Sequence, residues 1–198
     1  MTEPLLPALL PDWIPVRSLS ALDRPAMVEH LLAFDAQDRY LRFGHAVQDE
    51  QIRDYVEGID FHAGEVLGIF NRRLELLAMA HLADMGGQEA EFGVSVLPKA
   101  RGRGYGQLLF EHAGLHARSR GIRTLHIHTL AENGAMLAIA RHAGAEVIRE
   151  AGEASARLSL PPAELSDRWV SLLDDQAAEI DYHWKAGRLR MKELLPPA

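Results

Sequence analysis

The stretch Val94-Ser95-Val96-Leu97-Pro98-Lys99-Ala100-Arg101-Gly102-Arg103-Gly104-Tyr105-Gly106-Gln107-Leu108-Leu109 decides how the rest of the chain is read. A strand-like run feeds a glycine-rich turn, which opens directly into an amphipathic helix. Glycines admit positive φ and let the backbone approach a ligand closely. The unbonded N–H groups of a helix start, with the helix dipole, attract phosphate oxygens. Arg101 and Arg103 add charge beside them. The dinucleotide fingerprint G-x-G-x-x-G fails, because its third glycine falls on Gln107, and the P-loop pattern has no match. What the segment does contain is R-x-x-G-x-G, filled by Arg101, Gly104 and Gly106. The plainer reading is a helix start with glycines kept for packing and a solvated basic loop.

Working outward, the pattern predicts a short strand at Val16 to Leu19 and a helix opened by Asp23 and Pro25, with Met27, Val28, Leu31 and Leu32 at helical spacing. Two more short helices are predicted over Arg39 to Phe43 and from Asp49, the latter with Ile52, Tyr55 and Val56 on one face. Glu65 to Phe70 and Leu74 to Leu82 read as strands joined by a turn at Asn71-Arg72-Arg73. Gly86-Gly87 breaks the chain, and Glu91 to Leu97 is the strand before Pro98. After the Gly104 to Arg120 helix, stopped by Gly121, come a strand at Arg123 to Leu130 and a helix at Asn133 to His142, ended by Gly144. Ala145 to Arg149 and Ala154 to Leu160 form a last hairpin around Gly152. A strand–helix–strand unit inside an otherwise antiparallel run implies an α/β fold: a mixed, mostly antiparallel sheet with helices on its faces.

The loop and its surroundings together resemble the GNAT superfamily of N-acetyltransferases. There the coenzyme A pyrophosphate loop has the R-x-x-G-x-G form and is followed by a strand, an Asn and a short helix ending in Gly. Here these are Thr124 to Leu130, Asn133, Met136, Ile139 and Gly144. The resemblance covers roughly Glu65 to Leu160, with the N-terminal helices a looser match. It implies that the strands ending at Val96 and near Leu130 are parallel neighbours that splay apart. The pantetheine arm would lie in the splay against backbone groups of Val94 and Val96. The pyrophosphate would sit on Arg101, Gly102, Arg103, Gly104, Tyr105, Gly106 and Gln107. Asn133 would contact the cofactor, and Arg141 would reach its phosphates. The implied activity is transfer of an acetyl group from acetyl-CoA to a primary amine.

Two positions depart from the family. The last helix often carries a Tyr that protonates the leaving thiolate, and Ala140 stands there. The Gly–aromatic pair that ends that helix is Gly144-Ala145. The Asn-x-x-Met pattern is similar to a branch that includes bacterial protein-lysine acetyltransferases. Missing Tyr does not forbid catalysis, because a thiol of pKa about 8.5 leaves as thiolate with little help near neutral pH. The acceptor amine, however, arrives protonated and needs a base or a proton path. Glu91 and His128 are the catalytic candidates, with His81 behind them. Glu91 opens the strand that would hold the acetyl group; its plainer role is a solvated strand end. The plainer role of each histidine is a satisfied sheet residue. His112 and His116, and His126 and His128, form pairs without an evident third ligand, so no metal is expected.

The chain of 198 residues, 47% apolar and 25% charged, has the make-up of an ordinary globular protein. It contains no cysteine, which removes disulfides, thiolate metal sites and a cysteine nucleophile. That fits a cytoplasmic location. Its net charge of −7 argues against general nucleic-acid binding. No apolar run is long enough for a membrane span, and Met1 to Leu10, broken by Pro4 and Pro7, does not read as a signal peptide. Residues 1–160 are read as the acetyltransferase domain and 161–198 as a helical extension beginning at Pro161-Pro162. Leu165, Trp169, Leu172, Leu173, Ala177, Ile180 and Trp184 form one apolar stripe on that extension, ended by Gly187. The stripe is expected to pack on its own domain or on a second subunit, as a homodimer. The acceptor stays open between small amines and protein lysine, and the acyl chain length is unaddressed. A catalytically idle coenzyme A-binding or sensing module is the alternative.

Overall fold

The computed structural model describes residues 13–163 and 165–194, without the side chains of 165–172, 174 and 191–194. The reading of Met1 to Leu10, and the side chains of Leu165, Trp169 and Leu172 in the predicted stripe, lie outside the described residues.

A seven-stranded sheet organises the chain, in the order β1-β2-β3-β4-β5-β7-β6. The strands are β1 Arg17–Leu19, β2 Glu65–Phe70, β3 Leu76–Gly86, β4 Glu89–Val96, β5 Thr124–Leu130, β6 Glu146–Glu150 and β7 Glu153–Ser159. All neighbours are antiparallel except β4 and β5. The mixed sheet inferred from the element order is therefore present. The helices are α1 Arg24–Leu32, α2 Ala36–Phe43, α3 Asp49–Glu57, α4 Tyr105–Ser119, α5 Gly134–His142 and α6 Leu165–Leu194.

Strand alternation divides the core into two layers. Ala90 and Phe92 of β4 join Leu109, Phe110, Ala113 and Ala117 of α4, and Met136 and Ala140 of α5, on one face. Met27, Leu31, Ile52 and Val56 of α1 and α3 cover Val66, Leu77 and Met79 on the other. Each of these fully buried large side chains contributes on the order of 1.5–3 kcal/mol. α2 is different. It has no buried residue and lies across the ends of β4 and β5, where the sheet opens.

Two of the boundaries that move have an evident local cause. α2 starts at Ala36 rather than Arg39, because Asp35 caps it by accepting from the Asp38 N–H. β3 begins at Leu76 rather than Leu74, because Leu74 takes a positive φ of 58° in the turn that Asn71 closes.

α6 corrects the reading of the extension. It does fold back, onto α4 and β1, but by another face. Asp175 accepts from Ser18, Glu179 pairs with Arg17, and Tyr182 packs on Phe70 beneath the Arg17 guanidinium. Ala178 is buried in the same contact. Of the predicted stripe, Leu173, Ile180 and Trp184 are 67%, 55% and 47% exposed. The polar anchors Arg17 and Ser18 help decide which side docks, and hydrophobic periodicity does not register them. The helix itself continues through Gly187 to Leu194.

Candidate active site

β4 and β5 pair only from Glu89 to Glu91 against Thr124 to His126. Beyond Glu91 the strands diverge, while β4 stays bonded to β3 as far as Val96 and β5 stays bonded to β7 as far as Leu130. The Leu97 N–H bonds to the Leu77 carbonyl. By alternation, the N–H and C=O groups of Val94 and Val96 point the other way, into the opening. The strand edge there has main-chain groups with no strand to pair with, which a buried edge does not leave unused.

Two cavities meet at this opening. A cleft of about 400 Å³ is walled by Val94, Val96, Arg101, Gly102, Gly104, Tyr105, Gly106 and Gln107, with Asn133 and Ile139 opposite. At its foot is the start of α4. Gly104 occupies the N-cap with φ 77°, a left-handed conformation that a side chain resists. No side chain caps α4, so the first N–H groups of the helix are free for an anion. Arg101 reaches back over the cleft. It donates from Nε to the Val96 carbonyl at 3.2 Å, and pairs with Asp38 of α2 at 2.7 Å. Arg103 and Arg141 lie outside both cavity walls; Arg103 bonds to the Lys99 carbonyl at 3.5 Å.

The second cavity, about 540 Å³, continues from the first past Val94, Asn133, Leu41 and Arg42. Glu91, His128, Glu150 and Glu153 line it. The structure therefore brings Glu91 and His128 to one chamber. His81 does not line the chamber: it sits on β3 opposite Gly93, bonded to the Tyr55 hydroxyl at 2.8 Å. Burial and the Arg42 charge lower its pKa to about 4, leaving a neutral ring. Asn133 holds the junction together. Its Oδ1 accepts from the Met136 N–H and its Nδ2 donates to the Leu41 carbonyl, tying α5 to α2. His126 stacks on His128 with ring centroids 6.4 Å apart and pairs with Glu89 at 3.2 Å. His116 bonds to Glu65 at 2.7 Å beneath α6, far from the chamber. Ala140, where a Tyr was sought, is buried in the core.

Sequence reasoning missed α2's contribution. Asp38 and Arg42 stand more than 50 residues before the phosphate-type loop, with no local motif. Their i, i+4 spacing was the one available sign that both share a helix face.

Comparison with known proteins places this geometry. A family model described as acetyltransferase (GNAT) domain matches residues 15–146. No curated protein matches the sequence. The GNAT domain of S. lividans PAT is 24% identical, with a TM-score of 0.63, covering 73% of this chain and 89% of that one. A GNAT-family acetyltransferase from Staphylococcus aureus Mu50 is 11% identical, with a TM-score of 0.62 and coverage of 75% and 100%. The ribosomal-protein-S18-alanine N-acetyltransferase of Escherichia coli is 18% identical, with a TM-score of 0.57 and coverage of 77% and 96%. These neighbours share the fold. The family match spans most of the chain, and by it this protein belongs to the GNAT acetyltransferases.

Proposed function

We propose that this acyltransferase moves an acetyl group from acetyl-CoA to a primary amine by direct attack. The observation that carries the reading is the splay itself: the Val94 and Val96 main chain faces a cleft that ends on the uncapped start of α4. An extended arm with amide groups complements the first feature and a pyrophosphate the second. Gly102, Gly104, Tyr105, Gly106 and Gln107 are assigned to the phosphates with Arg101, and Arg103 and Arg141 to outer charge. Asn133 is assigned a pantetheine contact through its remaining hydrogen-bonding capacity. The donor supplies an activated thioester.

The amine enters from the second cavity. Its carboxylates attract a cation, and Glu91, the one on β4, takes the proton directly or through water. The amine nitrogen bonds to the thioester carbon, main-chain N–H near Val94 meets the developing oxyanion, and the C–S bond breaks to release the thiolate. His128 is the second candidate for the proton. An acceptor amine is consistent with the relative named for acetylating an alanine of a ribosomal protein.

Thiol release from acetyl-CoA across a panel of amines tests the reading, with Glu91→Gln beside the wild type. The rate near neutral pH is expected to fall by roughly 100-fold or more in the variant, with acetyl-CoA affinity retained. Recovery is expected as pH approaches the amine's own pKa. Binding of acetyl-CoA without release for any amine would leave the idle module as the function.

We assign residues 1–160 to the catalytic unit and 161–198 to an appended helix through which two copies pair. Leu173, Ala177, Ile180 and Trp184 recur at spacings of 4, 3 and 4 on the outer side of α6, a heptad seam. In an antiparallel pair centred on position 182, Ile180 meets Trp184 and Ala177 meets Gly187. Acidic residues dominate α6 up to Asp181 and basic ones follow from Lys185, so the same pairing opposes unlike charges.

A further inference from the structure

One cation stands where the two cavities meet. Arg42, in the last turn of α2, lines both of them. Its guanidinium rests on Gly93 of β4, so closely that a Cβ at Gly93 would lie 2.8 Å from Nη2. Nη2 donates to the Tyr55 hydroxyl at 3.0 Å, and that hydroxyl is left to donate to Nδ1 of neutral His81. The rings of Phe43 and Tyr55 flank it at 5.1 and 5.7 Å. The group is thus held in one place by four side-chain and main-chain surfaces. Nevertheless its Nε–H is buried without a partner, and among the described residues no carboxylate pairs with it. Arg39, the other arginine of α2, and Arg101 of the loop each have an acidic partner, and Arg103 lies outside both cavities. A half-buried guanidinium without a counter-ion has lost hydration that one hydroxyl and two ring faces replace only in part.

The surroundings say what completes it. Glu91 is two residues along β4 on the same face as Gly93, about 7 Å away, and Glu150 and Glu153 lie farther out in the same cavity. The chamber is therefore negative, with a single fixed positive end next to Val94. A ligand matching both ends carries an ammonium towards Glu91 and an anionic oxygen towards Arg42.

We propose that Arg42 is a carboxylate subsite, and that the acceptor is an amine bearing a carboxylate close to its reacting nitrogen, as an α-amino acid does. This rests on reading the second cavity as the acceptor site. A planar guanidinium with free N–H groups suits a carboxylate in a way that a lysine ammonium does not. The carboxylate would fix the orientation of the substrate, and the amine would then face the thioester position beside Val94.

Free amino acids and their carboxamides, compared as acceptors with acetyl-CoA, test this. In the wild type the KM of the preferred amino acid is expected to be about 30-fold below that of its carboxamide, the scale of losing one buried charge partner. Arg42→Met is expected to bring the two KM values together by raising that of the acid far more than that of the carboxamide, a split that a general loss of folding or of cofactor binding would not produce. Arg42→Lys is expected to fall between. Equal KM values for acid and amide in the wild type, which needs no variant to fold, would overturn the assignment alone. So would a preference that survives Arg42→Met. Bound acetyl-CoA with no acetylation of any amine would overturn the acyl-transfer reading and the subsite together.

Discussion

The guanidinium of Arg101 bridges the open side of the sheet to α2, pairing with the Asp38 carboxylate at 2.7 Å while its Nε donates to the Val96 carbonyl at 3.2 Å. If the cleft takes coenzyme A, this bridge occupies the path of the arm and directs the loop cation at a side chain instead of a phosphate. Asp38 is 11% exposed at its side chain, so its charge is poorly screened there. Asp38→Asn is expected to tighten coenzyme A binding by roughly 3- to 10-fold, the worth of one partly exposed pair with the added relief of like-charge repulsion. Titration calorimetry of both proteins with free coenzyme A measures it. Unchanged or weaker binding would show that Asp38 positions Arg101 for the ligand rather than competing with it.

Acetyl-CoA and free coenzyme A are expected to raise the melting temperature alike, since a ligand of the native state stabilises by mass action, and NADH and ATP much less. Gly104→Glu is expected to remove that shift. Its φ of 77° makes any side chain cost about 1–2 kcal/mol, and the carboxylate adds charge at the phosphate position. The core does not pass through Gly104, and a Cβ there meets nothing within 4 Å. The variant is therefore expected to stay folded, as circular dichroism would report. A full coenzyme A shift in folded Gly104→Glu would mean that the α4 start is not the phosphate site.

His30 ties stability to pH. Only 2% exposed, it bonds to the Leu76 carbonyl and to the Ser95 hydroxyl, both at 2.8 Å. Burial, and after it the nearby Arg42 charge, hold its pKa at about 4, below the ordinary 6.5. The unfolded chain therefore takes up a proton first as pH falls. The stability tied to the neutral ring is complete above about pH 6.5 and is lost between there and about pH 4, up to about 3 kcal/mol. His81 shifts in the same direction. Denaturation curves at several pH values in this window are expected to slope less steeply for His30→Gln than for the wild type. Parallel slopes would place the acid sensitivity elsewhere.

The exposed seam of α6 is expected to make the protein a dimer by light scattering. Leu173→Glu combined with Ile180→Glu puts charge on the outer side and leaves Arg17, Glu179 and Tyr182 untouched. That variant is expected to run as a monomer with its melting temperature little changed. Truncation after Leu160 also uncovers Phe70 and the Arg17 anchor, and is expected to aggregate. A wild type that is already monomeric would refute the pairing.

Local chemistry accounts for what was legible in the sequence. Gly104, Gly121 and Gly144 mark helix ends because each takes a positive φ, which glycine adopts without the strain a side chain brings. Asn133 announced α5 because its side chain caps the very next turn. The β4–loop–α4 unit could be read for phosphate affinity because all its parts lie within sixteen consecutive residues. The order of elements around that unit then implied the mixed sheet. These features depend on neighbours in sequence, so sequence alone determined them.

Only the tertiary structure decided the relations between distant segments. Arg42 and Asp38 come to the cleft because α2 crosses the open end of β4 and β5, strands that follow it by more than 40 residues. His81 and His128 look alike in sequence and share one face of the sheet, yet one is buried behind Tyr55 and the other lines the chamber, since each strand's place in the sheet order decides what covers it. On α6 the apolar stripe was plain, but its direction was not. Periodicity defines a helix face only up to a rotation about the axis. The ion pair between Arg17 and Glu179, 162 residues apart in sequence, chose the docked side.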